Sequence, residues 1–141
     1  MTTLFFLLMS ALMALTSSPK PVVSVELTLQ TRGFYKSIIV TAQQTMVDIN
    51  GRRRQQPTPA NQWQAILKTL QGVHLDDLSS LPTDVSRSSV DAALSARVRI
   101  KTAAQTYESA TYDHPNPPAV LVPLVKALVA SAPSGARSEF R

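Results

Sequence analysis

The sequence predicts an α+β domain: an antiparallel sheet of about five to six strands with two amphipathic helices packed on one face. Three observations carry this. Segments with period-two alternation cluster along the chain instead of alternating singly with helices, the pattern of an antiparallel sheet. Asn50-Gly51 stands between two strand-like runs and is the preferred pair for a type I′ hairpin, because both central residues need positive φ. Helical spacing appears in two long segments, one after each cluster of strands.

The first strand is read over Val23–Gln30, where Val23, Val25, Leu27 and Leu29 alternate with Ser24, Glu26, Thr28 and Gln30. "TRG" at 31–33 is a turn, with Gly33 free to take positive φ. "FYKSIIVTA" is rich in aromatic and β-branched residues and forms the second strand. "TMVDI" and "RRRQQ" flank Asn50-Gly51 as a hairpin, which completes a meander.

"PTPANQWQAILKTLQG" is the first helix, with Thr58 as its cap, Pro59 at its first position and Gly72 at its end. Trp63, Ile66, Leu67 and Leu70 share one face. Truncating Trp63 on such a face costs about 3–5 kcal/mol. Leu75, Leu78 and Leu81 recur every three residues, a short helical turn that Pro82 ends. Residues 85–96 admit two readings, a short helix capped by Ser89 or an ordered loop. Val98 and Ile100 then face one way, and Arg97, Arg99 and Lys101 the other. "AAQ" at 103–105 turns the chain into a returning strand from Tyr107 to Tyr112. The last helix carries Leu121, Leu124, Val125 and Leu128 on one face. Proline inside a helix costs about 3 kcal/mol, so either the helix kinks at Pro123 or it begins near it. "SAPSGARSEFR" has the composition of a flexible tail over residues 132–141.

The chain has 141 residues, 44% of them hydrophobic, which suits one domain with a real core. The apolar run Leu4–Leu15 is shorter than the about 20 residues a membrane span needs. It reads as a secretory signal peptide over residues 1–16, with Ala14 and Thr16 before a cleavage site at Ser17. No stable span is expected after that cleavage, and residues 17–131 form the folded domain. Cysteine is absent, which excludes disulfides, thiol nucleophiles and thiolate metal sites. Export without disulfides points to a periplasmic or secreted protein of a bacterial envelope.

All 14 basic and 9 acidic side chains follow Ser18, so the net charge of +5 stays with the mature chain. Arg52, Arg53 and Arg54 form its tightest cluster, and Arg97, Arg99 and Lys101 form a stripe. Together they are a candidate patch for an anionic polymer, beside the plainer reading of a solvated hairpin arm. Nucleic acid is not an expected partner, since RNP-like, KH and zinc-finger patterns are missing and export removes the chain from it.

"TYDHPNPPAV" at 111–120 concentrates polar groups. Asp113 beside His114 suggests a carboxylate orienting an imidazole base, alone or with His74, in a small hydrolase or metal-dependent enzyme. Against this, no G-x-S-x-G elbow or paired-histidine spacing is present, and neighbouring strand residues face opposite ways. The stretch is better explained as a corner: Asp113 making an Asx turn, His114 held extended before Pro115, and Asn116 capping the helix beyond. No catalytic residue, metal site or cofactor is assigned. Arg32 with Phe34 and Tyr35 at the first turn makes a second polar-aromatic group, of the kind used in recognition. Arg32, Tyr35, Asp113, His114 and Asn116 are therefore the candidate ligand- or partner-binding residues.

The motifs "TRGFYKSI", "NQWQAILKTL", "LPTD" and "TYESATYDHPNPPAVLVPLVKAL" resemble a family of small uncharacterised exported proteins of Bacteroidota-type bacteria. The shared pattern runs RGFYK, W-x-x-I, then YES-x-x-YDH-x-x-PP, and spans roughly 22–129. Asp91-Ala92-Ala93 departs from that family's D-G-A, and Pro115 replaces a glycine. The resemblance implies export and an α+β unit and brings no activity with it. The expected function is a non-catalytic binding domain whose partner is another envelope protein or component. The sequence leaves its oligomeric state open.

Overall fold

A computed structural model describes residues 20–87 and 93–141. The meander forms as the alternation requires: β1 (Val22–Thr31), β2 (Phe34–Thr41), β3 (Gln44–Ile49) and β4 (Arg52–Pro57) pair antiparallel in turn. Gly33 has φ +74° at the first turn, and Asn50 and Gly51 have φ 51° and 86° at the hairpin. Asp48 Oδ1 accepts the Gly51 N–H at 2.7 Å, fixing that hairpin from the strand side.

The chain leaves the β4 edge through α1 (Ala60–Leu70) and a 3₁₀ turn at Leu75–Ser80. It returns as β5 (Ser95–Thr102) on the other side of β1. The sheet order is β4-β3-β2-β1-β5-β6, with β6 (Thr106–Glu108) and β7 (Tyr112–Asp113) both paired to β5. Finally α2 (Val122–Ser131) packs beside α1 over the sheet. The architecture is thus α+β, an antiparallel sheet with two helices on one face.

The core is the set of side chains that the pleat and the helical period turn toward each other. Val25, Leu27 and Leu29 meet Ile38, Val40, Val98 and Ile100 across the register, all fully buried. Trp63, Ile66 and Leu70 of α1 and Leu124 and Leu128 of α2 close over them. Gln62 Nε2 donates to the Ala127 carbonyl at 3.1 Å and to Ser131 Oγ at 2.9 Å, joining the two helices.

Several local expectations change. Thr58 does not cap α1, because its hydroxyl is spent inside the protein on Thr45 Oγ1 at 2.8 Å; α1 begins one residue later, with Trp63 N–H on the Pro59 carbonyl. The returning strand is interrupted between Glu108 and Tyr112. Pairing slips by one residue between Arg99↔Glu108 and Ala96↔Tyr112, and Ser109 Oγ accepts the Val98 N–H at 3.0 Å where the ladder breaks. Pro123 lies in the first turn of α2, entered through a 3₁₀ turn at Ala119–Leu121, so the helix starts near the proline and does not kink at it.

Residues 132–141, expected as a flexible tail, pack onto the domain. Ala132, Ala136 and Phe140 are buried, because their apolar spacing brings them back over the end of α2 and the β2 strand. The proposed Ser89 cap and the D-G-A counterpart around Asp91-Ala92 lie outside the described residues. No helix among the described residues is long and apolar enough to cross a membrane.

Candidate functional site: a groove beside the last helix

Asp113 and His114 are adjacent in sequence and part company in the fold. Both continue the pairing of β7: Asp113 sits opposite Ser95, and the His114 N–H donates to the Leu94 carbonyl at 2.9 Å. Consecutive side chains on an extended strand point to opposite sides, so the imidazole and the carboxylate diverge.

The Asp113 side chain is buried under the 84–87 segment. One of its oxygens accepts the Arg87 N–H at 2.7 Å, and the Asp113 N–H donates to the Asp84 carbonyl at 2.7 Å. The expected Asx turn is therefore not at Asp113, whose carboxylate serves a segment distant in sequence. It is at Asp84, whose Oδ1 accepts the Ser86 N–H at 2.9 Å, and that bond holds the Asp84 pKa below its usual value. Asn116 does not cap a helix either. Its amide reaches Asp84 Oδ2 at 3.3 Å, so Asp113 and Asn116 both tie down the 84–87 loop.

Tyr35 lies on the open face of the sheet. It shares a hollow of about 180 Å³ with Arg97 and Arg99, floored by Glu26, Thr28 and Gln30. The charges there are matched. Arg99 bonds Glu108 at 2.6 Å and lies 3.5 Å from Glu26, and the Glu108 hydrogen bond raises the Arg99 pKa. Arg97 is 3.8 Å from Glu108 and donates to Thr111 Oγ1. Arg32 is exposed at the β1–β2 turn, outside that hollow.

The two basic clusters do not merge. Four strand spacings separate β4 from β5, about 19 Å. The pleat also divides the arginines. Arg53 pairs with Asp48 at 3.1 Å, while Arg52 and Arg54 share the sheet face of Ile49 and Val47. Lys101 stays exposed on β5.

His114 opens onto a groove of about 620 Å³, between the proline corner, α2 and the C-terminal segment. Its wall is an apolar stripe, Val122, Val125 and Val129, one helical turn apart and half-buried. Phe140, itself buried, contributes the floor. Lys126, Arg137 and Arg141 stand along it. The lining holds an imidazole but no hydroxyl, thiol or carboxylate side chain.

The sequence contained a signal for this groove. Leu121, Leu124 and Leu128 form one apolar row on the last helical segment; Val122, Val125 and Val129 form a second. A helix apolar on nearly every side either is buried all round or leaves a face for another partner. Assigning Val125 to the leucine row hid the second stripe. Phe140 was hidden by the polar composition around it.

His74 and His114 lie on separate elements, and no group of three or more His, Asp or Glu side chains placed for a metal occurs among the described residues. Comparison with known protein families, with curated proteins and with solved structures finds no match to this chain.

Proposed function

We propose that the chain is an exported, non-catalytic binding domain of a bacterial envelope, and that it binds through the groove beside α2. The observation that carries this reading is the lining: three valines over a buried phenylalanine, with one imidazole and no hydroxyl, thiol or carboxylate side chain beside it. Such a surface removes apolar area from water when occupied, and its imidazole has no hydroxyl or thiol nucleophile and no orienting carboxylate side chain beside it. Export rests on the Leu4–Leu15 pattern and predicts a mature amino terminus at Ser17.

A polarity-sensitive apolar dye tests the site. It should bind the native protein at one site per chain, and Val125→Asp should abolish binding while leaving the circular dichroism spectrum unchanged. Dye binding indifferent to Val125→Asp would remove the groove from the account. Turnover of an ester or phosphoester panel that disappears in His114→Ala would replace the binding reading with an enzymatic one.

A further inference from the structure

Resting on that binding reading, we propose that the groove takes a single-chain anionic amphiphile: an alkyl carboxylate whose chain lies on Val122, Val125 and Val129 and whose head group meets Lys126 and Arg137. Size is the first ground. The groove's volume, about 620 Å³, lies inside the range of roughly 300–1,000 Å³ typical of small-molecule clefts. The valine stripe runs about 10 Å along α2, from the helical rise per residue.

The chemistry of the walls is the second ground. Protein-binding surfaces favour exposed aromatic anchors. This groove is aliphatic, and its one aromatic ring, Phe140, is only 1% exposed. An alkyl chain matches such a wall better than a protein side-chain cluster does.

Charge is the third ground. Lys126, Arg137 and Arg141 make no ion pair among the described residues. Glu139, which shares the 137–140 turn, is already held by the Lys36 ammonium at 3.1 Å. On the open sheet face, by contrast, Arg97 and Arg99 are answered by Glu108 and Glu26. Arg137 Nε donates to the Ala132 carbonyl at 2.9 Å, which leaves the outer edge of its guanidinium for a ligand. The groove is thus an apolar surface whose flanking cations meet no carboxylate among the described residues, and a monoanionic head group supplies the missing charge.

Calorimetric titration of the intact protein separates the parts of this proposal, using decanoate, decanol and decyltrimethylammonium below their aggregation concentrations. Decanoate should bind once per chain, about tenfold tighter than decanol (a tenfold ratio being ~1.4 kcal/mol), and the cationic probe should not bind. Lys126→Gln alone should weaken decanoate about threefold and leave decanol unchanged, in line with the modest worth of an exposed charge pair. Lys126→Gln with Arg137→Gln should bring decanoate to the level of decanol.

Equal affinities for decanoate and decanol would overturn the anionic assignment and leave the groove standing as an apolar binding site. Decanoate binding that survives Val125→Asp would place the ligand elsewhere and overturn the proposal. If no alkyl probe binds although the dye still does, the amphiphile falls and the groove reading stands; if neither binds, both fall. Binding to an acidic amphipathic peptide in preference to decanoate would assign the groove to a protein partner instead.

Discussion

The ammonium of Lys36 lies 3.1 Å from the Glu139 carboxylate and 2.6 Å from the Glu139 carbonyl, joining the second strand to the C-terminal segment. Lys36 occupies a core-side position opposite Leu29 and is only 7% exposed. Its charge is answered by Glu139 and faced by the rings of Phe34 and Phe140, 4.8 and 6.0 Å from the amine. Because Phe140 floors the groove, this tie also shapes the candidate site. Lys36→Met should lower stability by about 1–2 kcal/mol, a figure for charge-assisted hydrogen bonds reduced by the half-exposure of Glu139. Trypsin should then cut after Arg137 faster than in the native protein, since local opening of the segment exposes it. Unchanged cleavage would mean that the tie does not hold the segment.

Ser109 is the hinge of the strand interruption. Its hydroxyl accepts the buried Val98 N–H while its own N–H donates to the Val98 carbonyl at 2.9 Å. Ser109→Ala strands a buried donor and should cost about 1–3 kcal/mol in denaturant unfolding. Ser109→Thr, which keeps the hydroxyl, should recover part of that loss.

Tyr112 is buried with a hydroxyl that has no partner among the described residues. Tyr112→Phe removes an unsatisfied polar group and should raise stability by about 1 kcal/mol. Burial pushes the phenol pKa far above its ordinary 10.0. The folded state therefore keeps a proton that the unfolded state releases. Tyr112 contributes no pH dependence below about 10, and its contribution is lost as pH rises beyond that. The alkaline fall in stability should be shallower in Tyr112→Phe.

Asp84 predicts the opposite limb. The Ser86 N–H depresses its pKa below 3.8, so its contribution is present above that value and is lost as pH falls through the folded pKa. Carbon NMR of the Asp84 carboxyl should place its midpoint below 3.8. Asn116→Ala should move it only slightly upward, because the Asn116 bond is the smallest of its causes. A midpoint at or above 3.8 would contradict the Asx turn as drawn.

The sheet was legible because its signals are local. Alternation in β1, the Asn50-Gly51 pair and the β5 arginine stripe each specify a face or a turn without outside help. The corner at 111–120 was legible as a corner but not in its wiring. Asp113 and Asn116 choose partners in the 84–87 loop, and no spacing along the chain encodes that meeting. Thr58 shows the same limit: a good cap by type, diverted by a buried hydroxyl thirteen residues away in Thr45. The groove needed the fold, since Val125 and Phe140 come together only after the C-terminal segment turns back over α2.

An amide NMR map of the protein with one equivalent of the apolar dye distinguishes binding beside α2 from binding on the open sheet face. Binding in the groove shifts His114, Val122, Val125, Val129 and the 137–141 segment and leaves the open sheet face silent. Shifts centred on Tyr35, Arg97, Arg99 and Thr111 would place the binding surface in the polar hollow and contradict it.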